Sequence, residues 1–495
     1  MEIPRGAFIG PRLSELGFEL PCGGTGRCGG CGIRVLSGSL PVTPHDIAAF
    51  SASELDDGWR LGCQARAETP LVLECGQWRM DVLMDHSSLS GSGRSGLGIA
   101  IDLGTTTIAA QLIDLDRGNV IAFQSGMNPQ SSFGSDVMSR IRAAMDGHDL
   151  TTSIRAALRQ TISNLGGERR EEISEVVLVG NTVMHHLFAG IDVEPLSRVP
   201  FQSPELGVQF FTPKDLDWPL PPACRVRFER CIGGFVGSDI LAGILAVGMQ
   251  DAEQLTALVD LGTNGEIAIG NRRGIVCAST AAGPAFEGGS IRMGMRATTG
   301  AVSRILLEGG ETRITVIGDV EARGICGSGL VDAVAAGLET GRILASGRIS
   351  GPTKVLAVAD SVVLVQADIR ELQLAKGAIA AGFKLLLRRL GKEPGDLQVI
   401  HLAGAFGNCV RAESALDIGL IEAPSGLIHA AGNTALRGAK TMLLSPRQLE
   451  IPAIEHMSLA ADPGFQEEFA HCMSFPEKWT SSRFALQRRG ELSAG

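Results

Sequence analysis

Leu258-Val-Asp260-Leu-Gly262-Thr263-Asn264-Gly265-Glu266-Ile-Ala-Ile269 reads as two short apolar strands joined by an Asp-x-Gly-Thr turn. The same pattern stands earlier in the chain, where Leu97 to Leu103 runs through Gly104-Thr105-Thr106-Thr107 into the apolar stretch Ile108 to Ile113. Two copies predict an internal duplication, with two α/β lobes facing each other. A tight Gly-Thr turn presents backbone N–H and hydroxyl groups to phosphate oxygens, and the carboxylate before it can hold Mg2+ directly or through water. Candidate phosphate and metal ligands are therefore Asp102, Gly104, Thr105 and Thr106 in the first turn, and Asp260, Gly262, Thr263 and Asn264 in the second. One such turn is a weak signal; two of them on apolar strands are a strong one.

Further segments follow in order. Val176-Val-Leu-Val-Gly180-Asn181-Thr182 leads into a helical stretch, and so does Gly432-Asn-Thr-Ala-Leu-Arg437-Gly-Ala-Lys440. Between them Val399-Ile-His401-Leu-Ala-Gly404-Ala-Phe-Gly407-Asn408 is a strand ending in a glycine turn. The set resembles the phosphate, connecting and adenosine motifs of the actin, sugar-kinase and heat-shock-chaperone ATPase superfamily. That resemblance implies a two-lobed α/β actin-like ATPase fold with duplicated ribonuclease-H-like lobes, ATP and Mg2+ as cofactors, and Gly404, Gly407 and Asn408 beside the nucleoside. An ordinary αβ turn is the competing reading of the two glycines taken alone. Gly233-Gly-Phe-Val-Gly-Ser238-Asp239 is a glycine loop opening a helix, and Asp239 is a candidate to orient or deprotonate the attacking water. Asp is equally a common residue at helix starts. Glu266 has the same two readings, a group reaching metal or water or a solvated carboxylate at a strand edge.

Near the start, Cys22-Gly-Gly-Thr-Gly-Arg-Cys28-Gly-Gly-Cys31 is followed, after 31 intervening residues, by Cys63. Thiolates are the ligands of iron-sulfur clusters, and this spacing lets three converge from one glycine-rich loop. Cys22, Cys28, Cys31 and Cys63 are thus the candidate ligands of a 2Fe-2S cluster. The five residues between the first two cysteines are one more than the plant-type spacing. In this the loop resembles the adrenodoxin-like and bacterial branch of the 2Fe-2S ferredoxins. Structural zinc is the alternative for the Cys28-x-x-Cys31 pair, but it usually takes a second short-spaced pair, which is missing. The resemblance implies an α+β, ferredoxin-like β-grasp domain. Only 21 residues precede Cys22, so the expectation is a β-grasp lacking its first strand, with a bare sheet edge. Cys75, Cys224, Cys231, Cys277, Cys326, Cys409 and Cys472 read as buried reduced thiols, and with no signal peptide in view the expected location is a reducing cytoplasm.

The Ser/Gly run Ser87 to Gly96 reads as a flexible linker, dividing a ferredoxin domain at 1–86 from an ATPase domain at 97–495 with lobes at about 97–255 and 256–495. A net charge of -10 without a basic stripe argues against nucleic acid as a partner. No apolar run reaches the ~18 to 20 residues of a membrane span, so none is expected. His185 and His186 are adjacent on a helix and point about 100° apart, which argues against a metal pair. Lys376 to Leu390 reads as an amphipathic helix packing on a core, with its Lys and Arg on the polar face.

Longer strings narrow the resemblance. Met127-Asn-Pro-Gln130, Phe133-Gly-Ser-Asp136-Val-Met-Ser-Arg140, Ala282-Gly-Pro-Ala-Phe286-Glu287-Gly288, Gly324-Ile-Cys326-Gly-Ser328-Gly-Leu-Val-Asp332 and Asp462-Pro-Gly-Phe465 join the cluster loop and both turns. Over nearly its whole length the chain resembles the reductive activators of corrinoid proteins, although some relatives carry a further small domain where this one has only the Ser/Gly joint. The resemblance implies ATP-dependent return of a methyltransferase's Co(II) corrinoid protein to Co(I), an upstream low-potential electron donor and a homodimer. An ATP-driven electron donor to a different low-potential enzyme and a redox-regulated small-molecule kinase are the alternatives.

Overall fold

The computed structural model describes residues 2–3, 8–10, 13, 31–50, 52–75, 85, 87, 89–134, 136–262, 264–308, 311–445 and 450–477. Cys22, Cys28 and Thr263 of the candidate set lie outside them.

The N-terminal unit is an antiparallel sheet of β1 (Glu2–Ile3), β2 (Gly32–Ser37), β3 (Trp59–Leu61) and β4 (Leu71–Cys75), in the order β1-β4-β2-β3. Two short helices, α1 (Pro44–Ala49) and α2 (Ala52–Asp56), lie between β2 and β3. Thr43 and Asp46 cap α1 reciprocally. The buried Asp46 also accepts the Leu61 N–H at 2.7 Å, which fixes the chain just before Cys63. Ile9, Leu13, Ile33, Leu40, Leu71 and Leu73 form a small core. The expected bare edge is corrected in part. β1 pairs with β4 at Glu2↔Val72 and Ile3↔Leu71, giving backbone groups at one end of that edge a partner.

The duplication is visible as two sheets of the same plan. In the first, β5 (Leu97–Leu103), β6 (Thr107–Asp114) and β7 (Val120–Met127) form an antiparallel meander. β5 continues in parallel through β8 (Ile173–Gly180) to β10 (Arg225–Phe228), edged by β9 (Gln209–Phe211). In the second, β11 (Thr256–Leu261), β12 (Gly265–Asn271) and β13 (Gly274–Thr280) repeat the meander. A three-stranded sheet follows, of β14 (Ala301–Glu308), β15 (Glu311–Val316) and β16 (Gly324–Ile325), and then a hairpin of β17 (Val355–Ala357) and β18 (Val363–Val365). β11 continues in parallel through β19 (Val399–Ala403) to β20 (Ile428–Gly432), and β21 (Ile454–His456) lies beside β13. The central strands are apolar on both faces because helices cover both.

On the outer face of the first sheet lie α3 (Val137–Met145), α4 (Leu150–Gly166) and α5 (Thr182–Ala189). Leu150, Ile154, Leu158 and Ile162 give α4 one buried stripe at helical spacing. Between the two sheets sits α6 (Ser238–Ala246). The second lobe adds α7 (Gly327–Glu339), α8 (Gln366–Arg389), the single turn α9 (Gly404–Gly407) and α10 (Ala412–Asp417). α11 (Thr434–Leu444) and α12 (Phe465–Cys472) complete the chain as described.

Four readings change at this level. α11 belongs by sequence to the second lobe but packs with Ala100, Ile113, Val177 and Val179 of the first sheet, while Ile240 and Ile244 of α6 pack with Leu258 and Ala268 of the second. A cut at residue 255 therefore separates the strands but not the helices. The Ser/Gly run is no free spacer where it is described. Ser92 donates to Leu115 O through both N and Oγ at 2.8 Å, and Arg94 donates to Glu175 at 2.6 Å and to the Leu443 carbonyl. Lys376 leaves the polar face of α8. It is buried, donates to Ser474 O at 2.5 Å and lies over the Phe475 ring. Among the remaining cysteines Cys409 is exposed, whereas Cys224, Cys231, Cys277, Cys326 and Cys472 are buried.

His185 and His186 are buried with their Nδ1 atoms 3.3 Å apart, and their Nε2 atoms face Gly207 O and Ser203 Oγ. Burial pushes both rings down to about 4, so they are neutral packing groups near pH 7. Among the described residues no group of three His, Cys, Asp or Glu is set to hold a metal, and no helix is long and apolar enough to cross a membrane.

Candidate nucleotide site between the lobes

Both Asp-x-Gly-Thr turns open onto one cavity of about 290 Å3 between the lobes. Asp102, Gly104, Thr105 and Thr106 line it from the first turn, Asp260, Gly262 and Asn264 from the second, and Asp239, Glu266 and Gly404 close it. Gly407 and Asn408 do not line it. Gly407 packs on Leu402 beneath the α9 turn, and Asn408 caps that turn's far end, so this part of the nucleoside expectation lies off the cavity.

The fold places the carboxylates by strand register and helix starts. Asp260 and Glu266 are direct cross-strand partners on β11 and β12. Asp239 stands in the first turn of α6 with its Oδ1 accepting the Ile240 N–H at 2.8 Å. Gly404 has φ +80°, and a Cβ there would meet Asp260 Oδ1 at 2.5 Å, so only glycine keeps both the turn and the carboxylate in place.

Three asparagines hold the first Asp-x-Gly-Thr turn. Asn128 Nδ2 donates to Gly104 O at 2.9 Å, Asn181 Nδ2 to Thr105 Oγ1 at 2.9 Å, and Asn433 Nδ2 to Asp102 Oδ2 at 3.0 Å. Each also caps a helical segment through its Oδ1, accepting from Gln130 N, Met184 N and Leu436 N respectively. One small amide thus ties a helix start to the turn.

The cavity crowds negative charge. Each carboxylate touches the cavity but is otherwise enclosed by protein. Burial pushes Asp102 up to about 6, and burial reinforced by Asp102 pushes Asp260 up to about 7. Asp239 rises to about 8 through burial and then the neighbouring aspartates, and Glu266 is held well above its ordinary value by burial and by Asp239 and Asp260. Ser279 donates to Glu266 at 3.2 Å. The described carboxylates are not gathered into a cluster of three metal ligands, but the oxygens of Asp102 and Asp260 are hard donors of the kind Mg2+ takes directly or through water. The cavity is also lined by Arg296, whose guanidinium burial lowers to about 10, and by Phe286, which stacks on Phe406 at 4.6 Å.

In the N-terminal unit Cys31 is buried at 1% exposure and Cys63 is half-buried, on either side of the Gly32↔Leu61 pair. Gly62 N donates to Cys31 O at 2.9 Å, and a Cβ at Gly62 would strike Leu13 Cδ1 at 2.4 Å. Two thiols brought to one end of a small core fit a thiolate-ligated cluster.

Known families match three stretches of the chain: a 2Fe-2S iron-sulfur cluster binding domain at residues 11–68, the RACo middle region at 97–252, and the C-terminal domain of RACo, the ASKHA domain, at 254–484. The corrinoid activation enzyme RamQ of Eubacterium limosum is 36% identical over 415 residues, 75% of this chain and 69% of the relative. The chain belongs to the RACo family. The reductase of the Co(II) methylated amine-specific corrinoid protein from Methanosarcina barkeri is 28% identical over 390 residues, 71% of each chain. A solved structure, the reductive activator for corrinoid, iron-sulfur protein, superposes with a TM-score of 0.66 at 26% identity, covering 96% of both chains.

Membership in the RACo family bears on residues that sequence reasoning left without a role. Asn181, Phe286, Cys326 and Ser328 stand in strings that carried the resemblance, and the structure puts all four on the cavity wall. Their signal was present as motif but not as chemistry. Asn433 stood inside a quoted connecting segment without a chemical role, and Arg296 lay outside every quoted string.

Proposed function

We propose that this chain is an ATP-dependent reductive activator that returns the Co(II) corrinoid of a methyltransferase corrinoid protein to Co(I), working in the cytoplasm as a homodimer fed by a low-potential donor. The observation that carries the reading is the convergence of both Asp-x-Gly-Thr turns and four carboxylates on one interlobe cavity, in a chain whose N-terminal unit brings Cys31 and Cys63 together. A 2Fe-2S cluster, when bound, supplies a one-electron carrier near about -400 mV.

In this reading Cys22, Cys28, Cys31 and Cys63 hold the cluster. Asp102 and Asp260 hold Mg2+ while Gly104, Thr105, Thr106, Gly262, Thr263 and Asn264 receive the phosphates. Gly404 lets the chain pass close beside Asp260. Asp239 or Glu266 accepts a proton from the attacking water; Asp239, raised to about 8, has the proton affinity of a base near neutral pH, and Glu266 is raised well above its ordinary value by burial and by Asp239 and Asp260. Every further ~59 mV of downward step for one electron costs ~1.4 kcal/mol, so transfer to a lower-potential acceptor needs a coupled source of free energy. Nucleotide supplies it only by favouring one state of the activator and partner complex over another.

The test is anaerobic. The reduced holoprotein is mixed with a Co(II) corrinoid protein, and Co(I) absorbance is followed with and without Mg-ATP. Co(I) that forms only with Mg-ATP is the expected result. A reduced cluster and intact nucleotide binding without Co(I) would move the electron to a different acceptor.

A further inference from the structure

The strap that joins the two halves of the molecule is gripped by one helix. Lys440, on α11, is 0% exposed, and its ammonium donates to Asp85 Oδ2, to Ser87 O at 2.6 Å and to Ser87 Oγ at 3.1 Å. The Asp85 carbonyl accepts from Gln111 Nε2 at 2.7 Å, and Leu89 packs against the cluster that includes α11. Arg94 reaches back to the Leu443 carbonyl in the last turn of the same helix. At the other end of α11 the cap residue Asn433 donates to Asp102 at 3.0 Å. The helix therefore touches a candidate Mg2+ ligand through its N-cap and the strap with its last two turns.

We propose that α11 is a lever between the nucleotide site and the root of the ferredoxin unit, with Lys440 as the positioning residue that makes the strap follow the helix. Cation and phosphate at Asp102 change what the Asn433 amide can donate to. A hydrogen-bonded helix of 11 residues moves as a rod of about 16 Å. A buried ammonium with three acceptors cannot leave them without exposing an uncompensated charge, so the strap moves with it. One contact of the ferredoxin unit with the second lobe, Arg323 with Glu74 of β4 at 3.9 Å, is a partly exposed pair of the weak class and offers little resistance to such a movement.

The lever takes its purpose from the proposed function but is tested without it. Amide hydrogen exchange is measured on the cluster-loaded protein with and without a Mg-bound, non-hydrolysable ATP analogue. The analogue is expected to slow exchange in the peptide 85–94 by about fivefold or more, the range of an ordinary coupling between sites. Lys440→Met is expected to abolish that difference while cluster absorbance and analogue binding persist. Because Lys440 is fully enclosed, Arg94→Gln is the companion variant. Arg94 is 32% exposed, and its loss frees the Leu443 carbonyl without opening the core. No analogue effect in the wild type, or an unchanged effect in the folded variants, overturns the lever. Failure to form Co(I) with the exchange response intact would overturn the proposed function and leave the lever standing.

Discussion

At the residue scale, the raised carboxylates set two opposite pH dependences. Cation binding in the proposed arrangement needs Asp102 and Asp260 ionised, and they hold protons up to about 6 and 7. Protons therefore compete with the cation, so affinity for Mg-ATP is expected to rise from pH 6 to about 8 with proton release. Calorimetry in buffers of different ionisation enthalpy reads this directly. Without the cation the sign reverses for the fold. The folded state keeps protons that unfolded carboxylates lose near 3.8, so metal-free stability is expected to fall as pH rises through that window and thermal unfolding to show it. Asp239→Asn is expected to slow ATP hydrolysis by about 100-fold or more with analogue affinity kept within a few fold, as for loss of a general base. Phosphate release is the readout, and a normal rate would pass the role to Glu266.

At the element scale, α6 and α11 share a cluster of apolar side chains and come closest at Gly438. A Cβ on Gly438 would lie 2.0 Å from Ala242 O, so Gly438→Ala must push the helices apart and is expected to cost about 1 to 3 kcal/mol, seen as a lower Tm. This crossing decides how much of the site sequence can show. The turns, their aspartates and the duplicated strands were legible because each is local: a run of apolar residues, a carboxylate, then Gly and Thr. Asn433 was not. A residue before a helix reads as a cap, and its second bond to Asp102, 331 positions earlier, exists only once the fold is made. The Ser/Gly strap misled for the same reason. Its composition is that of a spacer, whereas its anchor Lys440 lies 355 residues from Asp85.

At the scale of the whole molecule, the cluster unit and the nucleotide cavity are built from separate cores. Cys31→Ser is thus expected to erase the visible absorbance of the cluster while ATP hydrolysis continues, measured on one anaerobic sample. Loss of both would mean that the small core holds the larger one in shape. The helices exchanged between the two lobes have an effect of another kind. Each half of the ATPase leaves part of its inner sheet to be clothed by a segment translated with the other half. Made as two polypeptides divided after residue 255, they are expected to be insoluble apart and to reconstitute when co-expressed, so the ancestral doubling has become a partnership that neither copy can leave.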